Sequence, residues 1–115
     1  MDAKHYADGL ATQLRKGFMA YCVLLMCSNQ AHYTGDIVRR LSEAMMVVVE
    51  GTIYPLLNRL HKDGLLSYEW RESEQGPPRK YYCATDLGRA VAAELRMHMN
   101  TLHATLKTLE KGAGK

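Results

Sequence analysis

Thr52, Tyr54, Asn58, Arg59 and Lys62 are interleaved with Ile53, Leu56, Leu57 and Leu60, whose spacing of three, four and seven puts them on one inward helix face. The polar set is left outward or flanking. Its residue types suit duplex recognition: Asn pairs bidentately with adenine and Arg with guanine in the major groove, while Thr and Tyr hydroxyls suit phosphates. A second group, Arg79 and Lys80, follows Gly76-Pro77-Pro78. Those residues stiffen a loop tip, so the two cations can reach a backbone or a minor groove at little entropic cost. The bland alternative for both groups is a solvated polar surface.

Weaker candidates surround these. Glu50 either accepts a hydrogen bond from cytosine N4 or simply favours the dipole at a helix N-terminus. Tyr33 and Thr34 open another helix, where a hydroxyl and free amides can hold a phosphate, although Tyr33 equally suits packing. Arg39 and Arg40 are adjacent on that helix, so at most one points fully at DNA. Tyr68, Trp70, Tyr81 and Tyr82 resemble a stacking platform for single strands, but core packing and cross-strand pairing explain them better.

These side chains need a frame, and the periodicities supply one. Leu10, Leu14, Phe18, Tyr21 and Leu25 predict a helix from Leu10 to about Ser28, with Met19, Val23 and Met26 making it apolar over most of its circumference. Such a helix is covered on two sides, and in so small a chain the second cover is expected to be another copy. Thr34 is expected as the N-cap of a helix of about ten residues, with Asp36 in its first turn. The apolar run Ala44–Val49 reads as a buried turn or short extended piece anchoring the next helix. That helix ends at Asp63-Gly64, with Gly64 suited to the left-handed position and Pro55 placed near the first turn. Leu65–Trp70 and Tyr81–Ala84, split by the turn-rich Ser73–Pro78, predict a hairpin. Thr85 and Asp86 then cap a last helix whose Leu87, Val91, Leu95, Met99, Leu102, Leu106 and Leu109 form a near-heptad seam about 36 Å long. Gly112–Lys115 should fray.

The expected fold class is therefore mainly α with a small β-hairpin: a winged helix-turn-helix over about residues 10–85, and a long C-terminal dimerisation helix over 86–110 that packs with the first helix. Residues 1–115 are expected to form a single domain.

Composition narrows the classes further. The net charge of +3 is mildly basic, but Arg39, Arg40, Arg59, His61, Lys62, Arg71, Arg79 and Lys80 crowd the middle of the chain, and a local basic face is the better clue to a nucleic-acid partner. The carboxylates are scattered without a paired acid and base, no Gly-rich phosphate loop opens a helix, and no Ser or Cys has a local base, so no catalytic residues are expected. Cys22 and Cys27 lie five apart, as do His98 and His103, which puts neither pair on one helix face; no metal and no cofactor is expected. The odd set of three cysteines suits a reducing cytoplasm. The N-terminus has no signal-peptide pattern, and the run Met19–Cys27 is far too short to span a bilayer, so a cytoplasmic location without membrane contact is expected.

The residues Glu50-Gly51-Thr52-Ile53-Tyr54-Pro55-Leu56-Leu57, Arg59-Leu60, Asp63-Gly64-Leu65 and Gly76-Pro77-Pro78-Arg79-Lys80-Tyr81-Tyr82 resemble the PadR family of bacterial transcriptional regulators. Thr85 and Gly88 keep the threonine and glycine of that family's strand-to-helix junction. The resemblance covers about residues 10–110 and its central motif is highly specific. It implies a homodimeric repressor of the compact subgroup, bound to a double-stranded operator and released by a small-molecule effector. Gly51, Pro55 and Gly76 join the expected DNA-facing set, and Leu10, Leu14 and Phe18 join the terminal seam in the expected dimer interface. Two departures stand out. Val49 occupies the place where many relatives carry a capping Ser or Thr, and the last helix offers Met97 and Met99 where some relatives clamp flat drugs with an aromatic. Met19, Met26, Met97 and Met99 fill a core or else line an effector pocket. The alternative function is a winged helix serving protein–protein interaction without DNA; the polar Thr52, Asn58, Arg59 and Lys62 speak against it.

Overall fold

The computed structural model describes residues 2–113 as four helices and a three-stranded antiparallel sheet. The order is α1 (Ala3–Asn29), β1 (His32–Tyr33), α2 (Thr34–Glu43), α3 (Glu50–Lys62), β2 (Leu66–Ser73), β3 (Gly76–Ala84) and α4 (Asp86–Ala113). Of the tail expected to fray, Gly114 and Lys115 lie outside the described residues, whereas Gly112 and Ala113 continue α4.

Helix α1 begins at Ala3 rather than Leu10. Asp2 caps it by accepting from the His5 amide at 2.6 Å, and Lys4 pairs with Asp8 one turn on at 3.2 Å. The core face of α1 is Met19, Val23, Leu24 and Cys27, while Leu10, Leu14, Phe18 and Leu25 are exposed. The most regular apolar stripe of the sequence is thus not the one that the chain's own core covers.

Helix α2 has the expected ten residues, but Tyr33 is its N-cap and Thr34 is buried in the first turn. The expected Thr34 cap is therefore wrong. The helix closes on Met45, which takes a left-handed φ of 71°, while the Met46 amide donates to the Leu41 carbonyl at 2.8 Å. The run Ala44–Val49 is not the buried piece expected. Only Met46 and Val48 pack against the core, and Met45 (90%) and Val47 (81%) are almost fully exposed. A turn this tight between two short helices can direct only alternate residues inward.

Helix α3 buries Ile53, Leu57 and Leu60 and half-buries Leu56. Pro55, expected near the first turn, sits early in the second and deprives the Gly51 carbonyl of its helical donor. Gly64 takes the expected left-handed φ of 82°, and the Leu65 amide closes the helix on the Leu60 carbonyl at 2.9 Å.

The hairpin is longer and its turn tighter than expected. Ser73 faces Gly76 across a two-residue Glu74-Gln75 turn, so both strands run to the tip. Pro77 and Pro78 are tolerated because β3 is bordered there only by β2; the short β1 pairs lower down, His32 with Tyr82 and Tyr33 with Tyr81. At the exit, the Thr85 hydroxyl donates to the Gly64 carbonyl at 2.7 Å and accepts from the Gly88 amide at 3.0 Å, capping α4. Gly88 is there because a Cβ would run into the Leu65 carbonyl. Helix α4 packs on α1, with Val91, Ala92 and Leu95 turned into the core and Leu87, Leu102, Leu106 and Leu109 exposed.

Candidate nucleic-acid interface

The inward side of α3 fixes three others. Glu50, Tyr54 and Asn58 form the flank beside the hairpin; Gly51, Pro55 and Lys62 form the crest; Thr52, Leu56 and Arg59 form the flank beside α1. The first flank closes one side of an open cleft of about 540 Å³. Tyr33, Thr34 and Gly35, at the start of α2, make its back, and Trp70, Pro78, Arg79, Lys80 and Tyr82 of the hairpin make its other wall.

Strand β1 is what joins these parts. Its pairing with β3 holds the first turn of α2 against the hairpin and brings Tyr33 edge-on to Tyr81 at 5.4 Å between ring centroids. The Arg79 guanidinium lies 4.4 Å over the Tyr33 ring, and Lys80 lies 4.4 Å from the Tyr68 ring and 5.5 Å from that of Trp70. Aromatic faces thus hold both hairpin cations at the mouth of the cleft without neutralising them. Arg71 is placed similarly, 4.6 Å over Tyr81, but it also pairs with Glu69 at 2.6 Å.

Of the residues expected to face DNA, Tyr33, Thr34, Glu50, Tyr54, Asn58, Arg79 and Lys80 converge on this cleft. Thr52 and Arg59 do not; they lie on the far flank of α3, with Arg59 4.0 Å from Asp63. Gly51, Pro55 and Lys62 stand exposed on the crest, and Gly76 at the hairpin tip. Arg39 is drawn away along α2, where it pairs with Asp36 and reaches Glu43 at 3.4 Å.

Asp36 is the hub of that group. The buried His32 ring and Arg39 both hydrogen-bond to it, and Arg40 lies 3.6 Å away. Burial pushes its carboxyl up, but the His32 and Arg39 hydrogen bonds and charges outweigh that and hold it below the ordinary 3.8. Burial drives the Cys27 thiol up to about 12, leaving it un-ionised at neutral pH.

Trp70 is the cleft residue that reasoning from the sequence misplaced. It is 61% exposed rather than packed in the core, although the expected cross-strand pairing holds, with Lys80 opposite it on β3. Leu66, Tyr68 and Trp70 share one sheet face, as alternation requires, but the hairpin outruns its helical cover and the face passes from core to solvent along its length. Among the described residues no group of three or more His, Cys, Asp or Glu could hold a metal ion, and no helix is long and apolar enough to cross a membrane.

Residues 23–94 match the model of the transcriptional regulator PadR-like family. A PadR-like transcription factor from Bacteroides fragilis is 46% identical, superposes with a TM-score of 0.75, and is matched over 88% of this chain and 98% of its own. A transcriptional regulator of Mycobacterium tuberculosis is 41% identical over 66 residues, which are 57% of this chain; the chain spans only 61% of that relative. PadR of Bacillus subtilis, solved in complex with operator DNA, is 20% identical with a TM-score of 0.63, over 68% of this chain and 46% of its own. At that identity the likeness is one of fold, the winged helix-turn-helix.

Proposed function

The chain belongs to the PadR-like family of transcriptional regulators, and from that premise we propose that it binds a double-stranded operator as a homodimer and represses transcription until an effector releases it. As a member of that family it is a regulator and not an enzyme. The observation that carries the DNA reading is the cleft. The start of α2, one flank of α3 and the hairpin converge there, with two cations stacked on aromatic rings at its mouth.

In this reading α3 enters the major groove with its crest foremost. Asn58 and Tyr54 reach base edges and phosphates on one side and Thr52 and Arg59 on the other, while Arg79 and Lys80 grip flanking backbone. The B. subtilis relative, solved with operator DNA, lends support.

The dimer is supported by surface. The described residues expose 8540 Å², against roughly 6300 Å² for a compact 13.0 kDa chain. The excess is of the size that a permanent subunit interface removes. Leu10, Leu14 and Phe18 of α1 and Leu102, Leu106 and Leu109 of α4 supply apolar area for it. Two α3 helices related by a dyad would meet half-sites about 34 Å apart. Electrophoretic shifts with the gene's own upstream region, combined with sedimentation of the free protein, test the proposal. A salt-sensitive shift by a dimer is expected, and a monomer that shifts no upstream fragment would refute it.

A further inference from the structure

Arg15 and Lys16 of α1 are exposed, and among the described residues neither forms an ion pair. They stand along a groove of about 650 Å³ between α1 and the flank of α3 that faces away from the hairpin, where Arg59 of α3 joins them. No carboxylate lines that groove, and its other walls are largely apolar, with Val48 and Leu56 among them. Charges of one sign over an apolar wall focus their field on whatever polyanion approaches. Pro55, on the crest of α3, borders the groove too, so it opens beside the edge that α3 holds foremost.

We propose that Arg15 and Lys16 grip a DNA phosphate backbone, so that cations hold the duplex on both sides of α3. A helix seated in the major groove, about 12 Å wide, has a phosphate ridge to either side. Arg79 and Lys80 of the hairpin face one ridge, and Arg15 and Lys16, with Arg59, face the other. The dimer gives the two ridges their places on the operator. Thr12, Arg15, Lys16 and Met19 lie on the side of α1 opposite Leu10, Leu14 and Phe18, so α1 stands between α3 and a second copy seated on the leucine side. The α1 cations therefore meet phosphates toward the centre of the operator, between the two half-sites, and the hairpin cations meet those at its outer ends. Contacts of this kind read no bases; they fix the register of α3 on the duplex. The grip rests on the DNA-binding dimer proposed above and adds to it a helix that otherwise only packs.

Binding of the full chain to the operator fragment over a range of salt concentrations, with Arg15→Ala and Lys16→Ala combined, tests this. Affinity should fall about tenfold on operator and unrelated duplex alike, and the slope of log affinity against log salt should become shallower by about 2. Both positions are exposed and leave the core untouched. Lys107→Ala with Lys111→Ala removes the same charge from exposed positions on α4 and should leave the slope as it is. An equal loss there makes the effect one of net charge and overturns the grip. Phosphate ethylation interference locates the contacts. Ethylation between the half-sites should block the wild type, and that central interference should vanish in the Arg15/Lys16 variant while the outer interference persists. Unchanged slope and affinity, or loss of the outer interference instead, overturns the grip by α1 and leaves the DNA reading standing. A wild-type protein that shifts no duplex refutes that reading, and the grip with it.

Discussion

Asp36 shows how much one half-buried carboxylate can organise. It ties the buried His32 of β1 to Arg39 and Arg40 of α2, and so holds the back of the cleft to the helix. Its pKa is lowered by folding, so its stabilisation is fully present above the ordinary 3.8 and is lost as pH falls through the folded value. Asp36→Asn should cost about 1–2 kcal/mol at neutral pH. Denaturant unfolding should show that deficit shrinking as pH falls below 3.8 and through the folded value, where the wild-type carboxyl is itself neutralised. Asn58 is exposed on the cleft side of α3, and the role proposed for it is recognition rather than stability. Asn58→Ala should cost about 1–3 kcal/mol on the operator and much less on unrelated duplex. Anisotropy titrations against both would measure that difference, and an equal loss on the two would make Asn58 a backbone contact.

At the scale of elements, two termini carry the instructive departures. Val49 caps α3 with no side-chain hydrogen bond, so Val49→Ser should stabilise the protein by about 1 kcal/mol in thermal unfolding. Gly88→Ala should do the reverse by about 3 kcal/mol or more, since its methyl meets the Leu65 carbonyl and disturbs the Thr85 cap. Helices α2 and α3, the left-handed Gly64 and the Thr85 cap were legible because each is written in local spacing and residue type. Strand β1 was not. Two residues carry no period, and they become a strand only by pairing with β3, some fifty positions along the chain. The early start of α1 had a signal in Asp2 and the Lys4–Asp8 pair, but it is polar and a search for apolar stripes passes over it. Trp70 and the turn Ala44–Val49 failed for a shared reason. Apolar content says that a segment has a face, whereas exposure depends on whether another element reaches it.

On the scale of the whole molecule, two long helices carry apolar faces that nothing else among the described residues covers, and two grooves lie on opposite flanks of α3. A homodimer would cover the first, and DNA would draw on side chains from both flanks of α3. The positions in the cleft were legible as residue types, but their division between the flanks of α3 required the packing of α1 and the hairpin on either side.

The salt dependence of binding to the upstream fragment, for the wild type and for Arg79→Ala with Lys80→Ala, tests the central claim most directly. The logarithm of the binding constant should fall linearly with the logarithm of salt concentration, and the double variant should bind every duplex more weakly, with a slope shallower by about 2. Identical slopes and affinities in the two proteins would contradict an account in which the hairpin cations grip the DNA backbone.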